Sequence, residues 1–476
     1  MREFELTLTK ALLRGLRPFP EIAEEPTFLE ECFNLMPSEL GLRGHEPING
    51  IPLPTSTWPF SRLVATQWRV FAFVIQGPEV FAFTLSRGST GGWSAVVLGN
   101  IGDVSLVDQV DVADFGHYAI ISTSGFGGTV TQSFEISTLG ILQAFSGPTF
   151  GTVCNFRQQC VGANVPTRGG PAFDSGTNYI QWSGIGNATF DPVEDRTAGF
   201  KQQLFPTVAG QPTPIIYRVL PLKSGIVVYS NAGKVLLTPA VVESSFTYGQ
   251  TALPGLGIRS GNHVAGDADV HGFVDLNGDF WILESNAATE PKKRGYRTYI
   301  QSLLQDGVVV ISYIPRDQRF YISNGHSCLV INSFGACFVH QVPSSVIVGS
   351  DGLLFGTLAT VSSNDTEARI TTDPSDFRSR GLKTLESIMS DLTTSGQSFF
   401  STEYTMGSSP TFNTVPWVPG GPRAEAVVRT TAESFKIKVK LSTYVGALVR
   451  TLSANVKFPD RRFRRGLTGM AALEQP

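Results

Sequence analysis

The sequence predicts an all-β protein. Charged residues make up 16% of the 476 residues, whereas glycine occurs 49 times, and this composition suits many short strands and turns better than long surface helices. Short apolar runs separated by turn residues recur along the middle of the chain, and both ends differ from the middle in composition. We therefore expect a repetitive β region inserted into a second β-rich domain.

Regularly spaced glycines define the repeat. At intervals of 45 to 48 residues a glycine lies in the turn between two short apolar runs, as in HGFV-DLNG-DFWIL: Gly92, Gly140, Gly186, Gly233, Gly278 and Gly325. Tight hairpins need the positive φ angles that glycine adopts readily. One four-stranded sheet per period is typical of a β-propeller. The position expected for a seventh glycine, near residue 371, has none, so the count predicts a six-bladed β-propeller over residues 61–364.

The two ends of the chain are predicted to form one platform. Residues 1–60 are rich in proline and have no sustained period, which indicates an N-terminal arm that packs on other elements. Residues 365–476 are predicted to form a C-terminal β-rich domain. Within it, residues 381–392 have helical apolar spacing although the next segment resembles a strand, so helix and strand both stay open there. The propeller is then an insertion in a platform made by the arm and the C-terminal region.

Charge is distributed unevenly along the chain. The net charge is −3, so no overall field favours nucleic acid. Residues 21–40 nevertheless contain six acids and no base, and residues 423–476 contain eleven bases against four acids. Such asymmetry between the ends indicates an interaction surface.

Two basic clusters are the candidate functional residues. In the segment SFKIKVKL apolar residues alternate with lysines, which predicts a strand with one apolar and one cationic face: Lys436, Lys438 and Lys440. Four arginines follow within five positions: Arg461, Arg462, Arg464 and Arg465. Guanidinium groups pair with phosphates without reading sequence. Both clusters are candidates for phosphate contact or for pairing with a neighbouring subunit, and a solvated tail is the alternative for the arginines.

Three further patterns have a simpler structural explanation. Gly255–Gly261 resembles a dinucleotide-binding loop, but the residues after it predict a strand instead of a helix, so a loop between blades is expected. Asp275–Asp279 has the spacing of a calcium loop without its remaining ligands, so turn chemistry is expected and bound calcium stays open. Four aspartates of GDVSLVDQVDVADFG are expected to form a solvated strand face and no catalytic pair: Asp103, Asp108, Asp111 and Asp114.

Motifs of catalysis and targeting are missing from the sequence. GxSxG, HExxH and P-loop motifs do not occur, and the six histidines are dispersed, with His263 and His271 closest together. We expect no catalytic residue, no cofactor and no metal site. Five cysteines without zinc-finger spacing predict reduced, buried thiols. A secretory signal and an apolar run long enough to span a membrane are also missing.

The arm resembles the opening of tail proteins of short-tailed bacteriophages. The segment CFNLMPSELGLRGHEP contains the matching residues of an Asn-x-x-Pro element and a Gly-Leu segment with arginine: Asn34, Pro37, Gly41, Leu42 and Arg43. The stretch Ile180–Asp195, IQWSGIGNATFDPVED, is similar to a blade element of phage tail propellers. The strand-rich end with its Arg-Arg-x-x-Arg run also resembles these proteins.

The resemblance is to the tail nozzle, or hub, and covers the arm, the propeller, the platform and the basic end. It implies a virion structural protein without enzymatic activity, located in the tail and made in the host cytoplasm. Such a protein forms a homo-hexamer below the portal and adaptor proteins, with tail fibre, spike or needle proteins nearby. Its ring lines the exit channel for double-stranded viral DNA and retains the genome until ejection.

Two other classes of function stay open. A propeller glycosidase or sialidase acting on surface polysaccharide should present arginines and paired acids on propeller loops, whereas the arginine cluster here lies outside the propeller. A protein-interaction propeller of the WD40 type should show Gly-His and Trp-Asp signals, which these repeats lack. The structural ring protein is the favoured function, and the glycosidase is its alternative.

Overall fold

The structure is a computed structural model. It describes residues 2–7, 9–18, 28–51, 53, 61–88, 91–128, 131–165, 176–242, 245–349, 351–358, 366–375, 381–406 and 411–458. Strands dominate these residues and helices are few, so the prediction of an all-β protein is confirmed.

The chain divides into two compact units. Unit 1 comprises Met1–Pro47, Ser327–Gln341 and Val361–Pro476, and unit 2 comprises Ile48–His326 and Val342–Thr360. The main difference from the expected boundaries is the segment Ser327–Gln341, which was predicted within the repeat region and belongs to unit 1.

The chain begins with elements of unit 1 and reaches unit 2 at its fifth strand. These elements are β1 (Arg2–Thr7), α1 (Thr9–Arg14), β2 (Leu29–Phe33), β3 (Leu35–Ser38), β4 (Gly41–Gly44) and, in unit 2, β5 (Asn49–Gly50).

Five four-stranded antiparallel sheets follow in unit 2, each with its strands in chain order. The first three sheets are formed by β6 (Ser61–Ala65), β7 (Val70–Gln76), β8 (Glu79–Arg87) and β9 (Trp93–Asp103); by β10 (Gln109–Asp114), β11 (Ala119–Ser124), β12 (Thr131–Ile136) and β13 (Leu142–Ala144); and by β14 (Thr152–Phe156), β15 (Gln159–Val165), β16 (Gly176–Trp182) and β17 (Gly199–Lys201). The next two are formed by β18 (Ile216–Leu222), β19 (Gly225–Ser230), β20 (Lys234–Val242) and β21 (Ser245–Leu253); and by β22 (Val264–Gly266), β23 (Val270–Val274), β24 (Phe280–Glu284) and β25 (Lys292–Gly295).

The rest of unit 2 adds a hairpin and a three-stranded sheet. After α2 (Arg297–Gln305), the strands β26 (Val310–Ile314) and β27 (Arg319–Ser323) pair as an antiparallel hairpin. Two strands of unit 1 follow, β28 (Cys328–Ile331) and β29 (Ala336–Val339). The chain then forms β30 (Pro343–Val348) and β31 (Leu354–Leu358), which pair antiparallel, and β5 adds to β31 in parallel.

Neighbouring sheets of unit 2 pack face to face. One core contains the apolar side chains of β14–β16 together with those of β18–β21, and another joins β7–β9 to β10–β12. The first strands also lie side by side: β10 with β14, β14 with β18, β22 with β26, β26 with β30, and β30 with β6. Because β30 of the last sheet reaches β6 of the first, the series of sheets closes on itself.

The six glycines recur at about one per sheet, but they do not all lie at the same position within their sheets. Gly92, Gly140 and Gly186 follow the third strand of their sheets, whereas Gly233, Gly278 and Gly325 follow the second strand. Most of these connections are tight turns that suit glycine, whereas Gly186 lies in the long connection between β16 and β17. The spacing therefore reports the length of a repeat and not its boundaries. In the first turn the residue with positive φ is Gly91 instead of Gly92.

The glycine count is one short of the sheets in unit 2. Seven sheets contribute strands in the described part of this unit, against the six predicted repeats. The seventh sheet has its glycine turn at Gly352, which has a φ of 78°, between its first and second strands. Its turn therefore comes earlier than the expected position near residue 371.

The remaining strands of unit 1 complete two sheets. They are β32 (Ala368–Thr372), β33 (Lys383–Thr393), β34 (Ser398–Thr405), β35 (Asn413–Thr414), β36 (Val418–Pro419), β37 (Glu425–Ala432), β38 (Ser434–Leu441) and β39 (Leu448–Phe458). One sheet has the order β3-β4-β39-β33-β37, with β1 also paired to β39. In the other, β29 joins β28 to β2, and the order continues β2-β32-β38-β34, with β35 and β36 on β34.

The open question at residues 381–392 is answered by β33, which is a strand. Its ladder shifts register between Leu385 and Ser387 and again between Asp391 and Leu392. A β-bulge inserts an extra residue, so inward-facing side chains that would be two apart become three apart. Leu385 and Ile388 are accordingly both fully buried. The bulge explains the spacing that resembled a helix.

Asn34 and Gly41 are built into the backbone of unit 1. Asn34 has a φ of 60°, its side chain donates to the Glu367 carbonyl at 2.7 Å, and its Oδ1 accepts from the backbone N–H of His340 at 3.0 Å. Gly41 has a φ of 124°, and a Cβ there would lie 2.2 Å from the Val449 carbonyl oxygen of β39. These residues therefore join the N-terminal hairpin to later strands.

Replacing Gly41 by alanine should destabilise the protein. The added Cβ meets a backbone oxygen that cannot move away and the φ angle is unfavourable for alanine, so we expect a loss of about 2–4 kcal/mol, measured by urea unfolding. Gly421→Ala is the matched control, because Gly421 is exposed, has no positive φ and its Cβ would meet its nearest atom at 3.5 Å. Equal stability of both variants would contradict the role of Gly41.

Candidate functional site

The three lysines predicted as a cationic face lie on β38 and pair with acids of the same unit. Lys436 Nζ lies 2.7 Å from Glu30, Lys438 Nζ lies 2.8 Å from Glu403, and Lys440 Nζ lies 3.3 Å from Glu367. The apolar residues that alternate with them are buried. The predicted alternation of apolar and basic residues on this strand is correct. However, acidic side chains of the same unit balance the charge of the lysine face.

Aromatic rings cover the same lysines. The ammonium group of Lys436 lies 4.5 Å from the ring centre of Phe412, and that of Lys440 lies 5.2 Å from Phe399. The ammonium group of Lys438 lies 5.6 Å from the ring centre of Trp417. Cation–π contact and ion pairing together hold each side chain in place. The lysine face is therefore a fixed structural layer more than a free cationic surface.

The acidic arm contributes to this layer through β2. Glu30 pairs with Lys436, and Glu31 accepts a hydrogen bond from Thr371 Oγ1 at 2.8 Å. Glu21, Glu24 and Glu25 lie outside the described residues, and so does the whole arginine run Arg461, Arg462, Arg464 and Arg465.

The aspartates predicted as a solvated strand face are only partly so, and the prediction is wrong for two of them. Asp103 is exposed, whereas Asp111 and Asp114 are each 3% exposed. Asp114 accepts from Thr66 Oγ1 at 2.7 Å and from Arg69 Nε at 3.2 Å. Burial opposes ionisation of Asp114, but these hydrogen bonds outweigh it and hold the pKa of Asp114 below its ordinary value.

Asp111 belongs to a polar cluster at the centre of unit 2. Its carboxylate lies 2.9 Å from Arg218 Nη1 and accepts from Gln109 Nε2 at 2.8 Å and from Thr152 Oγ1 at 2.5 Å. These partners come from β10, β14 and β18. The carboxylate is thus held by side chains from three sheets, which fixes its position.

A cavity lies beside this cluster. It has a volume of 340 Å³ and is lined by residues of β6, β10, β18, β22, β26 and β30. Arg62 of β6 and Arg218 of β18 both face it. An adjoining cavity of 650 Å³ shares Arg218 and extends toward Trp68 and Arg157.

Sequence reasoning missed both arginines of this cavity. Each is a single charge within a short apolar strand, SRLVA for Arg62 and IYRVLPL for Arg218. A lone charge that interrupts a buried strand is a signal in itself, since buried charges need partners or a function. The partners cannot be named from sequence because they lie on other sheets.

The two closest histidines in the sequence are buried separately in structural roles. His271 lies 3.0 Å from the Tyr229 hydroxyl through Nδ1 and 3.0 Å from the Pro221 carbonyl through Nε2. A carbonyl only accepts, so Nε2 carries the proton and Nδ1 accepts from Tyr229 in the neutral ring. Burial lowers the pKa of His271 and of His263 to about 4.

Asp275 and Asp279 serve a turn and an ion-pair cluster. Asp275 accepts from the backbone N–H groups of Asn277 at 2.9 Å and Asp279 at 3.0 Å, and from Trp281 Nε1 at 2.9 Å. Asp279 pairs with Arg297 and lies 3.0 Å from Lys293. In the part of the chain that the structure describes, no group of three or more His, Cys, Asp or Glu side chains is arranged to hold a metal ion.

The other patterns noted in the sequence also form parts of the fold. Gly255–Gly261 forms the connection between β21 and β22, and Ser260 caps the short 3-10 helix Gly261–His263 after it. Trp182 of the Ile180–Asp195 stretch is buried and donates to the Thr197 carbonyl at 3.1 Å. All five cysteines are buried, and none of them forms a disulfide. None of the described helices is long and apolar enough to cross a membrane.

Comparison with known proteins leaves the chain without an assigned family. No protein-family model matches it, and no curated protein matches it. Similar solved structures include apo AztD from Citrobacter koseri (11% identity, covering 66% of this chain and 79% of that chain, TM-score 0.33) and BamB from Moraxella catarrhalis (10% identity, 65% and 90%, TM-score 0.30). Another is PorZ, a surface component of the type-IX secretion system of Porphyromonas gingivalis (11% identity, 65% and 35%, TM-score 0.29). TM-scores this low do not establish a shared fold.

The buried histidines should make the protein less stable in acid. Each has a folded pKa of about 4 against an ordinary value of 6.5, so its contribution is complete above pH 6.5 and is lost as the pH falls toward 4, because the unfolded chain binds the proton first. In this window, protonation of each histidine should lower the free energy of unfolding by at most about 1.4 kcal/mol per pH unit. Urea unfolding at several pH values measures the slope.

The variant His271→Gln should reduce the pH dependence of the unfolding free energy by the contribution of one proton, even if the variant is less stable at neutral pH. His326→Gln is the control, because His326 is exposed in the same unit, and its slope should match the wild type. An unchanged slope in His271→Gln would show that His271 does not titrate between the folded and unfolded states in this range.

Proposed function

We propose that the chain is a structural subunit of the tail nozzle, or hub, of a short-tailed bacteriophage. In this role it forms a homo-hexameric ring in the virion tail, below the adaptor proteins and close to fibre, spike or needle proteins. The ring lines the exit channel for double-stranded DNA and retains the genome until ejection. It has no enzymatic activity.

One observation carries the proposal. The arm that resembles phage tail proteins is integrated into unit 1 by Asn34 and Gly41, and the C-terminal strand β39 pairs with both β1 and β4. Both chain ends therefore build one β-rich unit, and the repetitive sheets lie between them in sequence. This is the chain order that the resemblance implies, with platform, insertion and platform again.

We further propose that unit 2 is a β-propeller. Support comes from its small antiparallel sheets, from the contact of β30 with β6, and from the cavity lined by first strands. The proposed number of blades is seven, one more than the six predicted from glycines, because β30, β31 and β5 form a sheet whose first strand contacts its neighbours in the same way.

Electrostatics favour a scaffold over a glycosidase. Glycoside hydrolysis needs one carboxyl group that holds a proton and another that is free to attack or to activate water. Asp111 is held by Arg218, Gln109 and Thr152, and Asp114 by Arg69 and Thr66. The hydrogen bonds to Asp114 hold the pKa of its carboxyl group below the ordinary value, which suits a structural role better than donation of a proton in catalysis.

For DNA passage, a channel wall with few unpaired cations is favourable. Phosphate contacts are individually strong at low salt and add up along a duplex, so a dense cationic lumen would retard ejection. The lysines of β38 are balanced by Glu30, Glu367 and Glu403. The arginine run at residues 461–465 is therefore our candidate for the sparse ring of charges that contacts DNA, or for the seam between subunits.

Replacing Arg461, Arg462, Arg464 and Arg465 together by glutamine tests this role in virions. If the run contacts DNA, tails assemble but genome retention changes, and the difference from wild type shrinks as salt rises, because salt weakens the phosphate contacts that the wild type makes. If the run pairs with another subunit, the yield of tails falls instead. Electron microscopy of particles and release of DNA from purified virions are the measurements.

The control variant replaces Arg196 and Arg423, two exposed arginines outside the run, and should behave as wild type. Mass spectrometry of purified virions must also find the chain among the tail proteins. Its absence there, or hydrolysis of a surface polysaccharide by the purified chain, would overturn the proposed function.

A further inference from the structure

Arg62 is a buried cation with almost no partners. It is 8% exposed, and its side chain makes one hydrogen bond within the described residues, from Nη2 to Asn262 Oδ1. Its Nε is buried and has no acceptor. No described carboxylate lies within ion-pair distance of it. A guanidinium has five N–H donors, so most of the hydrogen-bonding capacity of Arg62 is unused in a place where unmet donors are costly.

Arg218 brings a second guanidinium to the same cavity. It lies against Asp111 through Nη1, but its Nε is also buried without an acceptor. Burial and the positive charge of Arg218 lower the pKa of Arg62 to about 10, although the charges of Asp108 and Asp111 oppose that shift. The two side chains therefore repel each other across a space that an anion would stabilise.

The acids near this cavity are engaged elsewhere. Asp111 accepts two hydrogen bonds through Oδ2 and pairs with Arg218 through Oδ1, and Asp267 accepts from the backbone N–H groups of Asp269 and Val270 in its own turn, at 2.8 and 3.0 Å. Asp108 receives a long contact of 3.5 Å from Ser260 Oγ, and burial raises the pKa of Asp108. None of these carboxylates supplies the acceptor that Arg62 lacks.

We propose that this cavity binds a small oxyanion, a carboxylate or phosphate group, between Arg62 and Arg218. The planar fork of a guanidinium matches two oxygens of either group. The cavity volume of 340 Å³ admits such a group together with a few waters of about 30 Å³ each. The adjoining cavity that shares Arg218 offers a path from the surface. This site is independent of the proposed role in a phage tail.

Titration with two probes tests the site and distinguishes its ligands. Sodium phosphate and sodium acetate are each added to the full-length protein at constant ionic strength, with chloride as the balancing ion. Saturable binding by calorimetry and a rise in the unfolding temperature are expected for at least one probe. In Arg62→Met, which keeps the length of the side chain, binding should weaken roughly tenfold or more. Arg157→Met is the matched control, because Arg157 is exposed on the adjoining cavity, and should bind as wild type.

Each outcome decides the proposal. Binding of phosphate alone or acetate alone identifies the group that the cavity accepts. Equal binding by wild type and Arg62→Met would assign the ions to other surface sites, and no saturable binding of either probe by wild type would show that the cavity holds only water. Both results overturn the proposal. If Arg62→Met does not fold by circular dichroism, Arg62→Lys replaces it, since lysine keeps the charge and loses the fork, and several-fold weaker binding is then expected.

Discussion

A sheet of four short strands cannot bury its own faces, and this constraint governs unit 2. Each sheet is stable only when neighbours cover it. The ring of Trp182 in one sheet and that of Tyr248 in the next are 5.0 Å apart and nearly perpendicular, within a core that both sheets share. The same need brings β30 against β6, because an uncovered sheet would otherwise remain at each end of the series.

Closing the series has an electrostatic consequence. The first strands meet around a space that apolar side chains do not fill, and two arginines line it, Arg62 and Arg218. Asp111 forms an ion pair with Arg218. A buried ion pair such as Asp111–Arg218 contributes little net stability, because desolvation offsets attraction, but breaking it is strongly destabilising. The centre is therefore a place where geometry is tightly specified, which suits selective binding of a small group better than stability alone.

Unit 1 holds together segments that are distant in sequence. Strand β39 pairs with β1, β4 and β33, so the two ends of the chain share one sheet. The lysines of β38 pair with acids from β2, from β34 and from the residue before β32. Individually such pairs contribute only about 0–1 kcal/mol. Their effect is to balance the charge of the lysine face within unit 1.

The sequence by itself determined the local chemistry of this protein. The all-β class follows from its turns and short apolar runs, the repeat length from its glycines, and the two faces of β38 from strict alternation. Tertiary structure alone decided the number of sheets and the phase of the glycines, because any tight turn accepts glycine. It also decided that β33 is a strand with bulges, since an extra residue changes a period of two into three. Finally, it decided that Arg62 and Arg218 meet at one cavity, because strands distant in sequence become neighbours only when the sheets pack.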